Sequence, residues 1–540
     1  MGDWNFAQVY EVVARKIPDA PALLQGARAV TWKELDGRAE NIAAYLVSRG
    51  ISRQAKITQY LYNCPEYLES MIGGFKASLV SLNTNYRYGP DELTYLWNKM
   101  DVSVVVFHGT FSATIDAMRS RVPEVKVWLW VDHGEGECPA WAIPYDEAAS
   151  YNHADVWRPW ALSGDDVLIL CTGGTTGTPK GVMWRQDDLF VRLNTENGDS
   201  FPDEADYALQ ESLVSTRGRP YLAAAPLMHG AGLFTALLTL SRGGAISLLE
   251  KRHFDPIDLL DTVERDEVGS LMWIGDAFAR PVLDALRAFP DRWNLSSLRV
   301  IISTGVVFSA EVKAQILEYV PKAVISDVFG ASETMSVGRS ISKKDEPART
   351  ATFKAKATTR VFNERDEDVV PGSGERGMLA IGGRQPIGYY NDAEKGAQIF
   401  RTIRGERFVI PGDWATIERD GTVTLIGRGS ECINTGGEKV FPEEVEVVIR
   451  RHQDVFDAVV VGAPDARFGQ VIVAIVQTEP DRSINAEQLI SYVKTNISGY
   501  KAPRHVLVVD KIARLPNGKP DLTVLRKLAA NRVPAARQAS

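Results

Sequence analysis

The sequence predicts an α/β fold, with a large N-terminal domain of α/β subdomains built on parallel sheets and a small C-terminal α+β domain. Three observations predict it. Short apolar runs at 56–61, 103–107, 125–131 and 167–171 alternate with helical stretches, the pattern of parallel strands joined by crossover helices. The 540 residues exceed what one hydrophobic core serves, so at least two domains are required. After Arg428 the character of the chain changes to a shorter helix and strand pattern, which puts the expected boundary between domains 1–428 and 429–540.

Taken in order, Thr31 followed by Glu34 is a capping box opening a helix whose Leu35, Ile42 and Leu46 share one face, with Gly50 after its end. The apolar run 167–171 reads as a buried strand that feeds the polar stretch TGGTTGTPKG, residues 172–181. Gly173, Gly174 and Gly177 let backbone N–H groups approach an anion, Thr172, Thr175, Thr176 and Thr178 add hydroxyl donors, and Lys180 adds positive charge. That set suits a polyphosphate. It is not a Walker loop, because Lys180 stands between Pro179 and Gly181 rather than before Ser or Thr, so a P-loop NTPase is disfavoured.

The polar stretch 194–219 is expected to be an insertion or a surface lid. Residues 224–232 read as a strand end turning through glycine, with His229 in the turn. Residues 298–302 run into Ser303-Thr304-Gly305, and 324–326 run into DVFGASET from Asp327 to Thr334. Both read as strand C-termini opening into ligand loops, where open α/β sheets bind their ligands. Asp413 follows Pro-Gly, and Asp420-Gly421 is a strong hairpin signal. Beyond the boundary, Pro442 with Glu443 and Glu444 opens a helix that turns Val445, Val448 and Ile449 inward. Runs at 458–461, 471–476 and 506–509 read as strands, and Asn485 opens a helix carrying Leu489, Ile490, Val493 and Ile497. Leu515-Pro-Asn-Gly-Lys519 makes a tight turn that holds Lys519 at an exposed tip, where a solvated lysine is the ordinary reading.

Hydrophobic residues at 45% and charged residues at 24% describe a soluble globular protein. The net charge of -8 argues against nucleic acid as a partner. Cysteines at 64, 138, 171 and 432 form no CxxC pair and no zinc spacing, which fits a reduced, cytoplasmic protein. The N-terminal MGDWNFAQVY has no basic segment leading into an apolar one. The apolar stretch 232–249 is broken by Ser241, Arg242, Gly243 and Gly244, so no membrane span is expected; peripheral membrane contact and oligomeric state stay open.

With these motifs in this order, the chain resembles the adenylate-forming superfamily of acyl-CoA synthetases, luciferases and peptide-synthetase adenylation domains. It is most similar to bacterial fatty-acyl or sterol side-chain acyl-CoA synthetases, the GVMWRQDD continuation of the polar loop resembling the latter. The resemblance implies an AMP-forming acid–thiol ligase. A carboxylic acid and ATP would give acyl-adenylate and pyrophosphate with the help of Mg²⁺, and coenzyme A would then displace AMP. The alternative is an adenylating enzyme that passes the acyl group to a carrier-protein thiol. An acid of the medium- or long-chain fatty type or with a bulky steroid side chain is implied. No acidic residue lies between Ala231 and Leu240, where amino-acid-activating relatives commonly hold the substrate ammonium, and this disfavours an amino acid.

By the same resemblance, residues 172–178 and Lys180 bind the phosphates, and His229 lies beside the acyl pocket, lined by Ala231, Gly232, Gly305 and Val306. Their small side chains hint at room for a bulky acid. Gly305 and Phe329 would flank the adenine, with Asp327 near its amino edge and Val328 and Gly330 in the same nucleotide-binding stretch. Ser332 would approach the α-phosphate, Glu333 would hold Mg²⁺, and Asp413 and Arg428 would take the ribose hydroxyls. Lys519 matches the catalytic lysine. Gly436, Gly437 and Glu438 would line the coenzyme A tunnel, and Gly429 and Ser430 would form the hinge of a mobile C-terminal domain. Three departures stand out: Phe329 where relatives usually have Tyr, Ser332 where they have Thr, and Ser430 where they have Asp or Lys.

Overall fold

The computed structural model describes residues 3–134, 136–153, 157–173, 179–196, 201–202, 204–215, 218–305, 308–346, 352–428, 431–435, 438–465, 469–497, 499–515 and 518–532. The chain forms two compact units, one of residues 1–350 and 382–409, the other of residues 351–381 and 410–540. The boundary expected after Arg428 concerns a pivot, which a division by compactness does not test.

The first unit is built on two eight-stranded sheets. One runs, in spatial order, Met335–Ser342, Val324–Ala331, Val300–Ser303, Ser270–Trp273, Tyr221–Ala223, Ile246–Leu248, Pro21–Gln25 and Arg28–Thr31. The other runs Gly388–Tyr389, Pro179–Arg185, Val167–Gly173, Val80–Asn83, Lys56–Tyr60, Val102–His108, Val127–Val131 and Ile143–Pro144. The inner strands of both are parallel; antiparallel strands close both ends of the first sheet and one end of the second, whose other end, Ile143–Pro144, runs parallel to its neighbour. The four strands expected at 56–171 all form, each within two residues of its expected limits. The Thr31 capping box is in place: Glu34 N donates to Thr31 Oγ1 at 3.2 Å and Thr31 N to Glu34 Oε2 at 2.8 Å, and Leu35, Ile42 and Leu46 are buried. Helix Pro65–Lys76 is buried along its whole length, and Lys76 Nζ reaches Glu11, Asp36 and Glu40 at 2.8, 2.9 and 2.9 Å, joining the first three helices through one desolvated ammonium.

Most described residues of the stretch 194–219 are exposed or half-buried, as in a surface segment, but Asn194, Phe201 and Gln210 are buried and tie it to the N-terminal segment. Asn194 ends up buried inside helix Gln186–Glu196, and helix Tyr207–Leu213 buries Gln210. Trp4, fully buried, stacks on Phe190 at 4.5 Å and meets Phe201 and Tyr207 edge-on at 5.1 and 5.2 Å. Its indole N–H donates to Pro202 O at 3.1 Å, while Tyr207 Oη donates to Gln8 Oε1 at 2.7 Å and accepts from Asn5 N at 3.1 Å. The described parts of this stretch therefore clamp the N-terminal segment. A few aromatic rings among many charges supply the burial, which average polarity conceals.

In the second unit, strands Thr352–Lys354, Thr422–Arg428, Asp413–Ile417 and Gly377–Ile381 pair antiparallel, with Thr359–Phe362 against the last. The Asp-Gly turn forms as expected: Gly421 has φ +79° and Thr422 N donates to Asp420 Oδ1 at 2.9 Å. A second sheet joins Val455–Asp465, Gly469–Thr478, Ile433–Thr435 and Glu438–Val440, with His505–Val508 parallel to Gly469–Thr478. Helices Pro442–Ile449, Ala486–Asn496 and Leu522–Arg532 complete the unit, and Val445, Val448, Ile449, Leu489 and Val493 are buried as the periodicity requires. Among the described residues no helix is long and apolar enough to cross a membrane.

Trp4→Ala should cost about 3–5 kcal/mol, as large aromatic truncations in a core do. The check is the urea midpoint of the first unit; a loss of less than about 1 kcal/mol would show that the clamp does not hold the segment.

Candidate active site

The polar loop is bracketed by a β-hairpin. Strand Val167–Gly173 pairs antiparallel with Pro179–Arg185, with Thr172 opposite Lys180 and Gly173 opposite Pro179. The loop therefore returns as a strand and opens no helix, which separates it from a Walker loop in geometry as well as in spelling. Residues 174–178 lie outside the described residues. Lys180 is half-buried, and its Nζ sits 5.0 Å from the centre of the Tyr389 ring. Tyr389, on the short edge strand Gly388–Tyr389, pairs with Val182 and donates its hydroxyl to Glu333 Oε1 at 2.6 Å. One buried tyrosine thus joins the loop lysine to the carboxylate expected to hold Mg²⁺.

Strand Val324–Ala331 does not end at Ser326, as the sequence suggests. It runs on as a hairpin with Met335–Ser342, bulged between Phe329 and Gly330, because the antiparallel neighbour supplies ladder partners for Asp327 to Ala331. Ser332 and Glu333 occupy the turn, which Ala331 N closes on Thr334 Oγ1 at 3.1 Å. Trp184 Nε1 holds Ser332 O at 3.1 Å, from the strand that follows the polar loop. Gly330 is required here: a Cβ would stand 1.7 Å from Met335 O.

His229 precedes helix Gly230–Leu240 as its N-cap and is half-buried. Asn83 ties this turn to the polar loop. Its Nδ2 donates to Cys171 O at 2.9 Å and to Met228 O at 2.6 Å, and its Oδ1 accepts from Cys171 N at 2.7 Å. Ala231 is partly buried. The small size of Gly232 is spent on packing, because a Cβ would lie 2.8 Å from both Ala225 O and Pro226 O. Gly305 follows strand Val300–Ser303 with φ +88°, a left-handed conformation suited to glycine, and Val306 lies outside the described residues. Asp327 stands in register with Ser303 and forms an ion pair with Lys313 of helix Ala310–Tyr319. Burial pushes the Asp327 carboxyl above its ordinary range, and Lys313 offsets part of that rise.

In the second unit Asp413, buried, stands opposite Arg428 in the antiparallel register. Lys519 is exposed at its turn, where Leu515 N donates to Lys519 O at 2.7 Å and Gly518 has φ +81°. Glu438 pairs with Thr435 in the hairpin that brackets 436–437. Gly429, Ser430, Gly436 and Gly437 lie outside the described residues.

A family profile described as AMP-binding enzyme matches residues 10–390, and a second, AMP-binding enzyme C-terminal domain, matches 444–519. The chain belongs to the AMP-binding enzyme family. Among curated relatives of this AMP-binding enzyme, the medium/long-chain-fatty-acid--CoA/3-oxocholest-4-en-26-oate--CoA ligase of Mycolicibacterium smegmatis is 37% identical over 527 residues, 96% of this chain and 95% of that one. The 3-oxocholest-4-en-26-oate--CoA ligase of Rhodococcus rhodochrous is 36% identical over 529 residues, 96% of this chain and 94% of that one. Among solved structures, ATP-bound MatB from Rhodopseudomonas palustris superposes with TM-score 0.78 at 24% identity, covering 96% of this chain and 98% of that one. The anthranilate CoA ligase AuaEII with anthranoyl-AMP gives TM-score 0.81 at 18% identity, covering 98% of each. At these identities the likeness to the structures shows the fold alone.

Four residues of this AMP-binding enzyme escaped the sequence reading: Asn83, Trp184, Lys313 and Tyr389. Tyr389 is 56 positions from Glu333, and Asn83 is 88 from Cys171, so no local spacing carries either contact. Asn83→Leu would strand the Cys171 N–H and two carbonyls, each at about 1–3 kcal/mol. Acid-dependent exchange of pyrophosphate into ATP should fall at least about 10-fold in the folded variant; unchanged exchange would show that the tie does not position the loop.

Proposed function

We propose that this chain is an ATP-dependent acyl-CoA ligase that converts a medium- or long-chain fatty acid, or an acid with a bulky steroid side chain, to its CoA thioester. The observation that carries the reading is the match, over nearly the whole chain, to relatives named as ligases of those acids. The absence of an acidic residue from 231 to 240 supports a plain carboxylic acid, and four cysteines without pairing or zinc spacing fit a cytoplasmic setting.

A carboxylate is a poor acyl donor because its leaving group would be oxide. Attack of its oxygen on the α-phosphorus of ATP expels pyrophosphate and installs AMP as a far better leaving group. The thiolate of coenzyme A then attacks the acyl carbon, AMP leaves with the C–O bonding pair, and the thiol proton passes to solvent. The protein's share of the first step is positioning and charge neutralisation. The polar loop with Lys180 takes the phosphates, Ser332 the α-phosphate, and Phe329 with Gly305 the adenine. Asp413 and Arg428 take the ribose, and Lys519 neutralises charge gathering between the carboxylate and the α-phosphate. Residues 429–540 are proposed to move as a unit between the two steps, about Gly429 and Ser430, with 436–438 serving the pantetheine arm.

Mg²⁺ would neutralise the β- and γ-phosphates. The donor set fits such an ion: Glu333 is a hard oxygen donor that spends one oxygen on Tyr389, and no group of three or more His, Cys, Asp or Glu side chains gathers as a cage among the described residues. Mg²⁺ is ordinarily held in this way, by one or two carboxylates with substrate phosphates and water.

AMP formation from a panel of aliphatic, aryl and steroidal acids should require coenzyme A and favour the long or bulky acids. AMP release without coenzyme A but with an acyl-carrier protein would overturn the ligase reading. Tyr389→Phe removes the hydrogen bond that orients Glu333, so the half-saturating Mg²⁺ concentration should rise several-fold, with about 10-fold loss of turnover at low Mg²⁺; an unchanged Mg²⁺ titration would remove Tyr389 from the site. Lys519→Ala should lose about 10²- to 10³-fold in adenylation yet convert synthetic acyl-adenylate and coenzyme A at near the normal rate. Equal loss of both half-reactions in a folded variant would refute that role.

A further inference from the structure

Lys313 lies on helix Ala310–Tyr319 with 3% of its side chain exposed, and its ammonium is paired with Asp327 Oδ2. Asp327 keeps 23% of its side chain exposed, so the pair is closed on the lysine side and open on the carboxylate side. The Phe308 ring centre is 5.5 Å from Nζ. Asp276, the other carboxylate that acts on Asp327, accepts from Ser309 N at 2.9 Å and from Arg280 Nε at 3.3 Å. A desolvated ammonium is expensive to bury, and here it serves one carboxylate. That carboxylate points the same way from its strand as Phe329, two residues on, and stands beside Ser303, two residues before Gly305.

We propose that Lys313 is a specificity-determining residue for the nucleotide: it fixes Asp327 as a carboxylate that can only accept hydrogen bonds, and so selects a 6-aminopurine over a 6-oxopurine. The proposal rests on the reading in which Asp327 meets the amino edge of adenine. An ionised carboxylate accepts from the 6-amino group of ATP but sets oxygen against oxygen when a 6-oxo group faces it. Without the ammonium, the rise that burial imposes on the carboxyl would go unopposed, favouring the protonated form, whose O–H can donate to the 6-oxo oxygen. The ion pair would then be a filter for the base, acting through Asp327 without touching the nucleotide.

The experiment compares kcat/KM for ATP with that for ITP, which differs at the purine 6-position and the adjoining N1. The native enzyme should favour ATP by on the order of 10²-fold or more. Lys313→Met should reduce that ratio at least about 10-fold, mainly through the nucleotide KM, and Lys313→Arg should preserve it. If the methionine variant does not fold, Lys313→Gln carries the same expectation. Equal losses with ATP and ITP would make Lys313 a structural residue and overturn the proposal. Asp327→Asn separates the two levels: an amide can donate as well as accept, so the ratio should collapse. If Asp327→Asn leaves the ratio unchanged, the adenine-edge reading itself fails. If it collapses the ratio and Lys313→Met does not, the reading stands and the role of the lysine is refuted.

Discussion

The side-chain amide of Asn83 is the interaction on which the site depends. Strands Val80–Asn83 and Val167–Gly173 share two ladder positions, Ser81 with Leu168 and Leu82 with Ile169. Beyond them the strands must separate to make room for loops, and that leaves the N–H and C=O of Cys171 buried without a ladder partner. Asn83 supplies both, its amide standing in for the next rung, and the same Nδ2 reaches Met228 O. The requirement that buried backbone groups be satisfied therefore sets the spacing between the polar loop and the His229 turn. A crevice at the C-terminal ends of parallel strands needs such a device wherever strands part before the loops begin.

In the first unit two carboxylates of the proposed site, Glu333 and Asp327, are each held by a neighbouring side chain. Glu333 is held by a neutral phenol, which fixes one oxygen without consuming the negative charge a cation would need. Asp327 is held by an ammonium, which offsets part of the rise that burial imposes on its carboxyl. Tyr389 also meets Lys180 with its ring face, so one side chain contacts both the loop cation and the Glu333 carboxylate. In the proposed reaction this would preorganise a cation and a carboxylate around the phosphates.

What the sequence disclosed follows from the range of the forces involved. Capping, turn chemistry and apolar periodicity act within a few residues, so the Thr31 box, the Asp-Gly hairpin and the strands of the parallel sheets were legible. The length of strand Val324–Ala331 was not, because its last residues are held by an antiparallel partner instead of by their own propensity. Nor was the clamp at 194–219, whose burial rests on Trp4, nearly two hundred positions away by hydrogen bonding to Pro202. The motif residues at Ser332 and Glu333 were identifiable by their local spelling, whereas the residues that aim them, Trp184 and Tyr389, carry no local signal at all.

Gly232 shows why small residues at a site need the coordinates before they are read as room for substrate. Glycine there permits helix Gly230–Leu240 to approach the carbonyls of residues 225 and 226, whereas at Gly230 an added Cβ would meet the tip of the Leu170 side chain at 2.8 Å, which can shift as a backbone carbonyl cannot. Gly232 is the one consumed by the fold. Ala231, between them and partly buried, carries a side chain that the packing tolerates. Gly305 is different again: its φ of +88° sets the backbone conformation, and the nearest atom to an added Cβ is 4.0 Å away, so conformation and not crowding fixes that residue. Two of the small residues in the expected pocket are thus accounted for without a substrate, Gly232 by backbone packing and Gly305 by backbone conformation, so counting small residues along the sequence overstates the room.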